Sequence, residues 1–156
     1  MGNDAHEAER GTARLRQRLS AIPAAVKEAA RATTLKQANA MAATMRGLVP
    51  EDEGDLKESI AVTPGNAATP PYSQPGGSMV VPELSVAVTA GNADVRYAHL
   101  VEYGTVERTV KKTGKPSGKG PAQPFFWPAV RLNRKKAQAA IKRGVGAAVR
   151  KAWSKR

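Results

Sequence analysis

The chain has 156 residues, a formal net charge of +12, 4% aromatic residues and no cysteine. That length suits one domain spanning 1–156, and the lack of cysteine excludes disulfides and thiolate chemistry. No apolar run approaches the roughly 20 residues that a membrane-spanning helix needs, so no membrane partner is expected.

Much of the apolar content is alanine, which buries little area. The free subunit is therefore expected to be marginal and to gain stability from neighbours. The start, Met1-Gly2-Asn3-Asp4, is polar and acidic and reads as no secretory signal. His6 at the sixth position argues against myristoylation. Residues 1–14 read as a flexible arm, within a polar, helix-prone stretch over 6–19. Pro23 fits a helix's first turn, and a helix of about 24 residues, about 36 Å long, is expected to end at Gly47 and Pro50. Its apolar stripe runs through Ile22, Val26, Ala30, Thr33, Ala40, Met41, Thr44, Met45 and Leu48.

Glu51 to Gly54 read as an acidic turn, and Ile60-Ala61-Val62-Thr63 as a short β segment. Residues 64–78, rich in proline and glycine, read as a long mobile loop; such loops in compact domains are usually functional or disordered. Residues 79–81 and 84–90 are β-rich, with Leu84, Val86 and Val88 on one face. Residues 95–103 fit either a helix or a strand and are read as a strand edge running into a short helical turn. A second loop covers 104–124, with 106–120 its longest excursion. Pro128 then opens a helix carrying Val130, Ala137, Ile141, Val145, Ala148 and Trp153, which Gly144 and Gly146 are expected to weaken or kink. The fold class is α+β: a long N-terminal helix, a small mostly antiparallel sheet with long loops, and a C-terminal helix.

The charge is unevenly placed. Residues 1–107 hold 10 Lys/Arg and 13 Asp/Glu, whereas residues 108–156 hold 15 Lys/Arg and no Asp/Glu. The basic third points to an anionic partner, either nucleic acid or an acidic protein surface. Catalytic sets are scarce. His99 has Glu102 nearby, but an isolated histidine is far more often a surface or interface residue. Two distant histidines without cysteine make no metal site, and Glu51, Asp52, Glu53 and Asp55 lack the calcium-loop pattern. "TGKPSGKG" lacks the phosphate-loop spacing. No catalytic, cofactor or metal residues are expected, and no enzymatic activity.

Pro124-Phe125-Phe126-Trp127-Pro128 puts three of the few aromatics together between stiffening prolines. It reads as a buried anchor that re-seats the chain after the loop, leaving the loop to reach a neighbouring subunit or line a channel. Three stretches resemble the tail-completion (head–tail joining, or neck) proteins of long-tailed bacteriophages and gene-transfer particles. Val49-Pro50 with Gly54-Asp55-Leu56-Lys57-Glu58-Ser59-Ile60 is similar to that family's G-x-L-x-x-S-I element. Tyr97 to Thr105 is similar to its Y-A-x-x-V-E-aromatic-G-T element. Pro121 to Ala129 is similar to its P-A-x-P-F-x-x-P-A element. The resemblance covers roughly residues 15–152.

It implies a structural virion protein forming a ring, commonly six-fold, between tail tube and head connector or stopper, with double-stranded DNA passing through the lumen. Assembly in the bacterial host cytoplasm and a place in the virion neck follow from it. Tail terminators share a related fold. The loop after Gly104-Thr105 would face partners. Tyr97, Glu102, Tyr103, Gly104, Thr105, Lys111, Lys112, Lys115, Lys119, Phe125, Phe126 and Trp127 are the expected interface residues. Glu102 and the acidic turn are expected to meet Lys/Arg of the next copy. The alternative reading is a basic nucleic-acid-binding protein, with Trp127 or Trp153 stacking on bases.

Overall fold

The computed structural model of the chain describes residues 24–50, 54–112 and 114–154. The readings of residues 1–23, including Ile22 and Pro23, and of Glu51 to Glu53 lie outside the described residues, as does the side chain of Trp153. Helix α1 spans Ala24–Leu48. Its many alanines favour the helical state, and Pro50 blocks continuation, as the sequence predicts. Its buried residues are Val26, Ala38, Ala42 and Met45. The expected stripe is thus partly displaced: Ala40 and Leu48 are exposed. On so alanine-rich a helix the buried face is chosen by close approach, which leaves little apolar bulk for a periodicity argument to follow.

A single turn, α2 (Asp55–Glu58), follows Gly54, whose φ of 89° is left-handed. Strand β1 (Ala61–Pro64) pairs antiparallel with β2 (Val86–Thr89), in a register that sets Ala61 opposite Thr89 and Pro64 opposite Val86. The long stretch between them contains no further strand but is tied down. Residues 66–69 exchange backbone hydrogen bonds with 79–81, and Gln74 and Ala90 bond reciprocally at 2.8 and 2.9 Å. Thr69 and Ser73 are buried within it, and the Thr69 hydroxyl donates to the Gly77 carbonyl at 2.8 Å. The β-rich residues 79–81 therefore form a local ladder rather than a third strand of the sheet.

The strand edge expected before the helical turn is absent. The Asn92 side chain accepts the N–H groups of Asp94 and Val95 at 2.9 and 2.8 Å, an Asx turn that removes them from any ladder. The chain passes directly into helix α3 (Ala98–Tyr103). Helix α4 spans Phe126–Trp153, 28 residues and about 42 Å.

Helices α1 and α4 form the main packing layer and run antiparallel. Asn133 donates to the Thr44 hydroxyl at 2.9 Å. Gly144 faces Thr33, an equal number of residues further along α4 and back along α1. A β-carbon on Gly144 would lie 2.6 Å from the Thr33 hydroxyl oxygen. This glycine is therefore a notch for close helix approach, and α4 continues through it and Gly146 to Trp153. The core gathers at one end of the helix pair, where Met45, Val49, Leu56, Ile60, Val95, Phe125 and Phe126 meet. The architecture is the α+β arrangement read from the sequence.

Candidate functional site: a carboxylate clamp at the root of a basic arm

Helix α4 begins without a local cap: Phe125 holds the N-cap position and supplies no side-chain hydrogen bond. The first N–H groups of a helix lack intrahelical partners. Here Glu102, from the end of α3, accepts them. One carboxylate oxygen takes the N–H groups of Phe125 and Phe126, each at 2.8 Å, and the other takes that of Trp127 at 3.2 Å. Glu102 is 7% exposed. Its negative charge also sits where the helix dipole is positive. This remote cap explains why α4 starts at Phe126, two residues ahead of Pro128, which still falls in the first turn where proline costs nothing.

The same corner is fastened elsewhere. The Gln123 N–H donates to the Val101 carbonyl at 2.8 Å, and the Thr105 N–H to the Gly120 carbonyl at 2.9 Å. The Gly120 N–H donates to the Thr105 hydroxyl at 2.9 Å. Gly104 has φ 75° and ψ 177°, a region open essentially to glycine. A β-carbon there would meet the Gly120 carbonyl oxygen at 2.8 Å. The three aromatics divide their work. Phe125 and Phe126 are buried in the core, whereas Trp127 is 40% exposed. Its indole N–H donates to the hydroxyl of Tyr103 at 2.6 Å, and Tyr103 is itself 68% exposed.

Beyond the clamp, residues 105–112 and 114–120 pair as the two sides of a ribbon. Isolated bridges join Thr105 to Gly120 and Thr109 to Pro116. Backbone bonds run from Ser117 to the Arg108 carbonyl and from Val110 to the Lys115 carbonyl. Arg108, Lys111, Lys112, Lys115 and Lys119 are all exposed on it. On α4, Arg131, Arg134, Lys135, Lys136, Lys142, Arg143, Arg150 and Lys151 are likewise exposed. Among the described residues none of these α4 cations has a carboxylate within ion-pair distance, whereas Arg31 on α1 pairs with Glu28 and Glu83. At helical pitch Arg131, Lys135 and Lys142 fall on one stripe.

The expected interface residues therefore separate. Tyr97, Tyr103, Trp127 and the four lysines lie at the surface. Gly104 and Thr105 form the arm's root. Glu102, Phe125 and Phe126 lie inside their own chain, and the Glu102 carboxylate, expected to meet basic groups of a neighbouring copy, is taken up by three N–H groups of its own. His99 is exposed and has no hydrogen bond to Glu102. Among the described residues no group of three or more His, Cys, Asp or Glu could hold a metal ion, and no helix is long and apolar enough to cross a membrane.

The sequence reading missed the roles of Ser59 and Glu102. Buried Ser59 accepts the Gly91 N–H at 3.0 Å and donates to the Leu56 carbonyl at 2.7 Å. A signal for the remote cap was present: no Ser, Thr, Asp or Asn precedes Phe126 at capping distance, so a partner from elsewhere was needed.

Residues 13–104 match the family model described as "Bacteriophage HK97-gp10, putative tail-component". The chain belongs to this family. The comparison with curated proteins gives no match, and neither does that with solved structures. The matched residues contain the Val49 to Ile60 stretch and all but the last residue of the Tyr97 to Thr105 stretch that carry the resemblance. Each has a physical role: Gly54 supplies the left-handed turn, Leu56 and Ile60 enter the core, Ser59 ties α2 to Gly91, and Glu102 caps α4. The match stops at Gly104, short of the expected span to 152, so the arm, the Pro121 to Ala129 stretch and α4 lie beyond it.

Proposed function

We propose that the chain is a structural virion protein that closes into a homo-oligomeric ring at the head–tail junction. The ring would sit between tail tube and head connector or stopper, with the genome passing through its centre, as a completion or terminator component. The observation that carries this reading is membership of a phage tail component family. A core gathered at one end of a long helix pair, with a protruding arm, suits a subunit completed by neighbours. Rings arise from heterologous contacts in which one face meets a different face of the next copy. The role is mechanical rather than catalytic.

Light scattering on the purified chain, alone and with tail-tube protein, tests it. A discrete ring-sized species in either sample is the expected result. A chain that stays monomeric in both sinks the proposal.

The eight exposed α4 cations favour a second reading, direct polyanion binding. Duplex DNA held by Z phosphate contacts loses affinity with a slope of about −0.9Z in log salt. A monomer binding duplex DNA with a slope near −5 or steeper would support this reading; a ring indifferent to DNA would remove it.

A further inference from the structure

We infer that the outer face of α4 is a ridge that lies in the major groove of duplex DNA, each flank meeting the phosphates of one strand. The inference rests on the polyanion reading above, to which it adds a surface and a mode, and it does not require ring closure.

The sequence of α4 repeats a basic pair at seven-residue spacing: Lys135-Lys136, Lys142-Arg143 and Val149-Arg150, with valine in place of the first cation of the third pair. Seven residues are nearly two helical turns, so each pair returns to the same side. At about 100° per residue the first members form one row, which Arg131 joins, and the second members form another about 100° away. Leu132, Ala139 and Gly146, again seven apart, form the crest between the rows. Ala137, which is buried, and Gly144, set against Thr33, occupy the opposite side, so the crest points away from α1. Arg131, Lys135, Lys136, Lys142, Arg143 and Arg150 are all exposed. From Arg131 to Arg150 the helix rises about 28 Å, and the chain from 108 to 156 contains no Asp or Glu to offset them.

A helix with its side chains is about 10–12 Å across, and the major groove of B-DNA is about 12 Å wide. A helix seated there sets one row of cations against each phosphate wall. The crest then decides what can be read from the bases. Leu132, Ala139 and Gly146 carry no side-chain donor or acceptor for a base edge. The nearby Asn133 amide is committed to the Thr44 hydroxyl and the Ala129 carbonyl, and Gln138 falls outside the first row. Contact is therefore with phosphates and indifferent to sequence. An acidic protein surface fits the face less well. Half of the two rows' cations are lysine, a residue type depleted in protein interfaces, and the crest offers Leu132 as its one large apolar side chain. Groove seating also separates DNA from RNA, because the A-form major groove is too deep and narrow for side chains to read.

Fluorescence anisotropy of the full-length protein with duplexes of about 20 base pairs tests the mode, using two DNAs of unrelated sequence and one RNA. The two DNAs are expected to agree within about threefold, and the RNA to bind at least about fivefold more weakly. The salt slope on DNA should be about −5, as expected for about six phosphate contacts. Changing Lys136, Arg143 and Arg150 together to Gln, or Arg131, Lys135 and Lys142 together, should each take about 2–3 from that slope, with the melting temperature confirming that both variants fold. Dimethyl sulfate should find guanine N7, on the major-groove edge, protected in the complex. Equal binding to DNA and RNA, an unprotected N7, or a slope that responds to only one row overturns the inference and leaves general polyanion binding standing. No binding to any duplex at low salt overturns both, and neither outcome bears on the ring.

Discussion

Replacing Glu102 probes the clamp most directly. In Glu102→Ala three N–H groups lose their acceptor together (Phe125, Phe126 and Trp127). Each buried donor left unpaired costs about 1–3 kcal/mol. A cavity of about 60 Å³ beside the carboxylate lets water reach part of the site, which holds each cost near the lower end. The total is then about 3–5 kcal/mol, a large share of the stability of an ordinary domain. For a chain of this size each kcal/mol moves the melting temperature by about 2–4 °C, so a fall of about 6–20 °C is expected. Glu102→Gln keeps one carbonyl oxygen for Phe125 and Phe126 but turns an N–H donor towards Trp127 and removes the charge at the helix N-terminus. It is expected to cost about 1–2 kcal/mol. Urea unfolding followed by circular dichroism measures both. If Glu102→Ala lay within about 0.5 kcal/mol of the parent, the clamp would not be holding α4 in place, and the reasoning would be refuted.

Four further outcomes follow from the same contacts. Gly144→Ala is expected to destabilise by about 1–3 kcal/mol through overpacking on Thr33, whereas Gly146→Ala, whose nearest neighbour is the mobile end of Arg150 at 3.5 Å, should stabilise by up to about 1 kcal/mol; urea midpoints with the same sign for both would contradict the notch. Ser59→Ala should cost about 1–3 kcal/mol in the same assay, because it strips the buried Gly91 N–H of its acceptor; no change would mean that the α2–Gly91 tie contributes nothing. Gly104→Ala should lose about 2–4 kcal/mol from backbone strain and the contact with Gly120, and hydrogen exchange should quicken first at Thr105 and Gly120. Changing Arg131, Lys135 and Lys142 together to Gln should reduce any salt slope of duplex binding by about 2–3, without moving the melting temperature by more than about 2 °C; an unchanged slope would clear this stripe of a role in binding polyanions.

Legibility in the sequence followed the strength of local signals. Pro50 ended α1 because a proline stop needs no tertiary context. The two-stranded pairing was legible in Ile60 to Thr63 and Leu84 to Ala90, where β-branched residues cluster. Residues 95–97 misled because Val95, Tyr97, His99 and Val101 alternate like a strand. The deciding interaction was the Asn92 side chain, acting from three residues upstream of Val95. Gly144 read as a weak point because propensity scales score the helix alone, and Thr33 stands 111 positions away in sequence. Within the site, the surface lysines were legible from charge. The position of Glu102 was not, since nothing between Glu102 and Phe125 announces that the chain returns to the same place.

The clamp divides the chain into a part that fastens and a part whose side chains the fastening leaves unconstrained. Glu102, Gly104 and Val101 belong to the family-matched residues, whereas the arm and α4 lie outside them. The ties that cross this boundary from Glu102 and Val101 end on main-chain groups: the N–H groups of Phe125, Phe126 and Trp127, and the N–H of Gln123. Main-chain acceptors and donors are the same for almost every residue type. The hold on the arm's root and on the start of α4 therefore places little demand on side chains between 106 and 119. That stretch can take up charge and apolar contacts suited to a partner while the fold that presents it stays the same. If the chain forms the ring proposed above, this separation gives it a fixed root set by a buried carboxylate and an outer surface whose composition is left to the contact it makes.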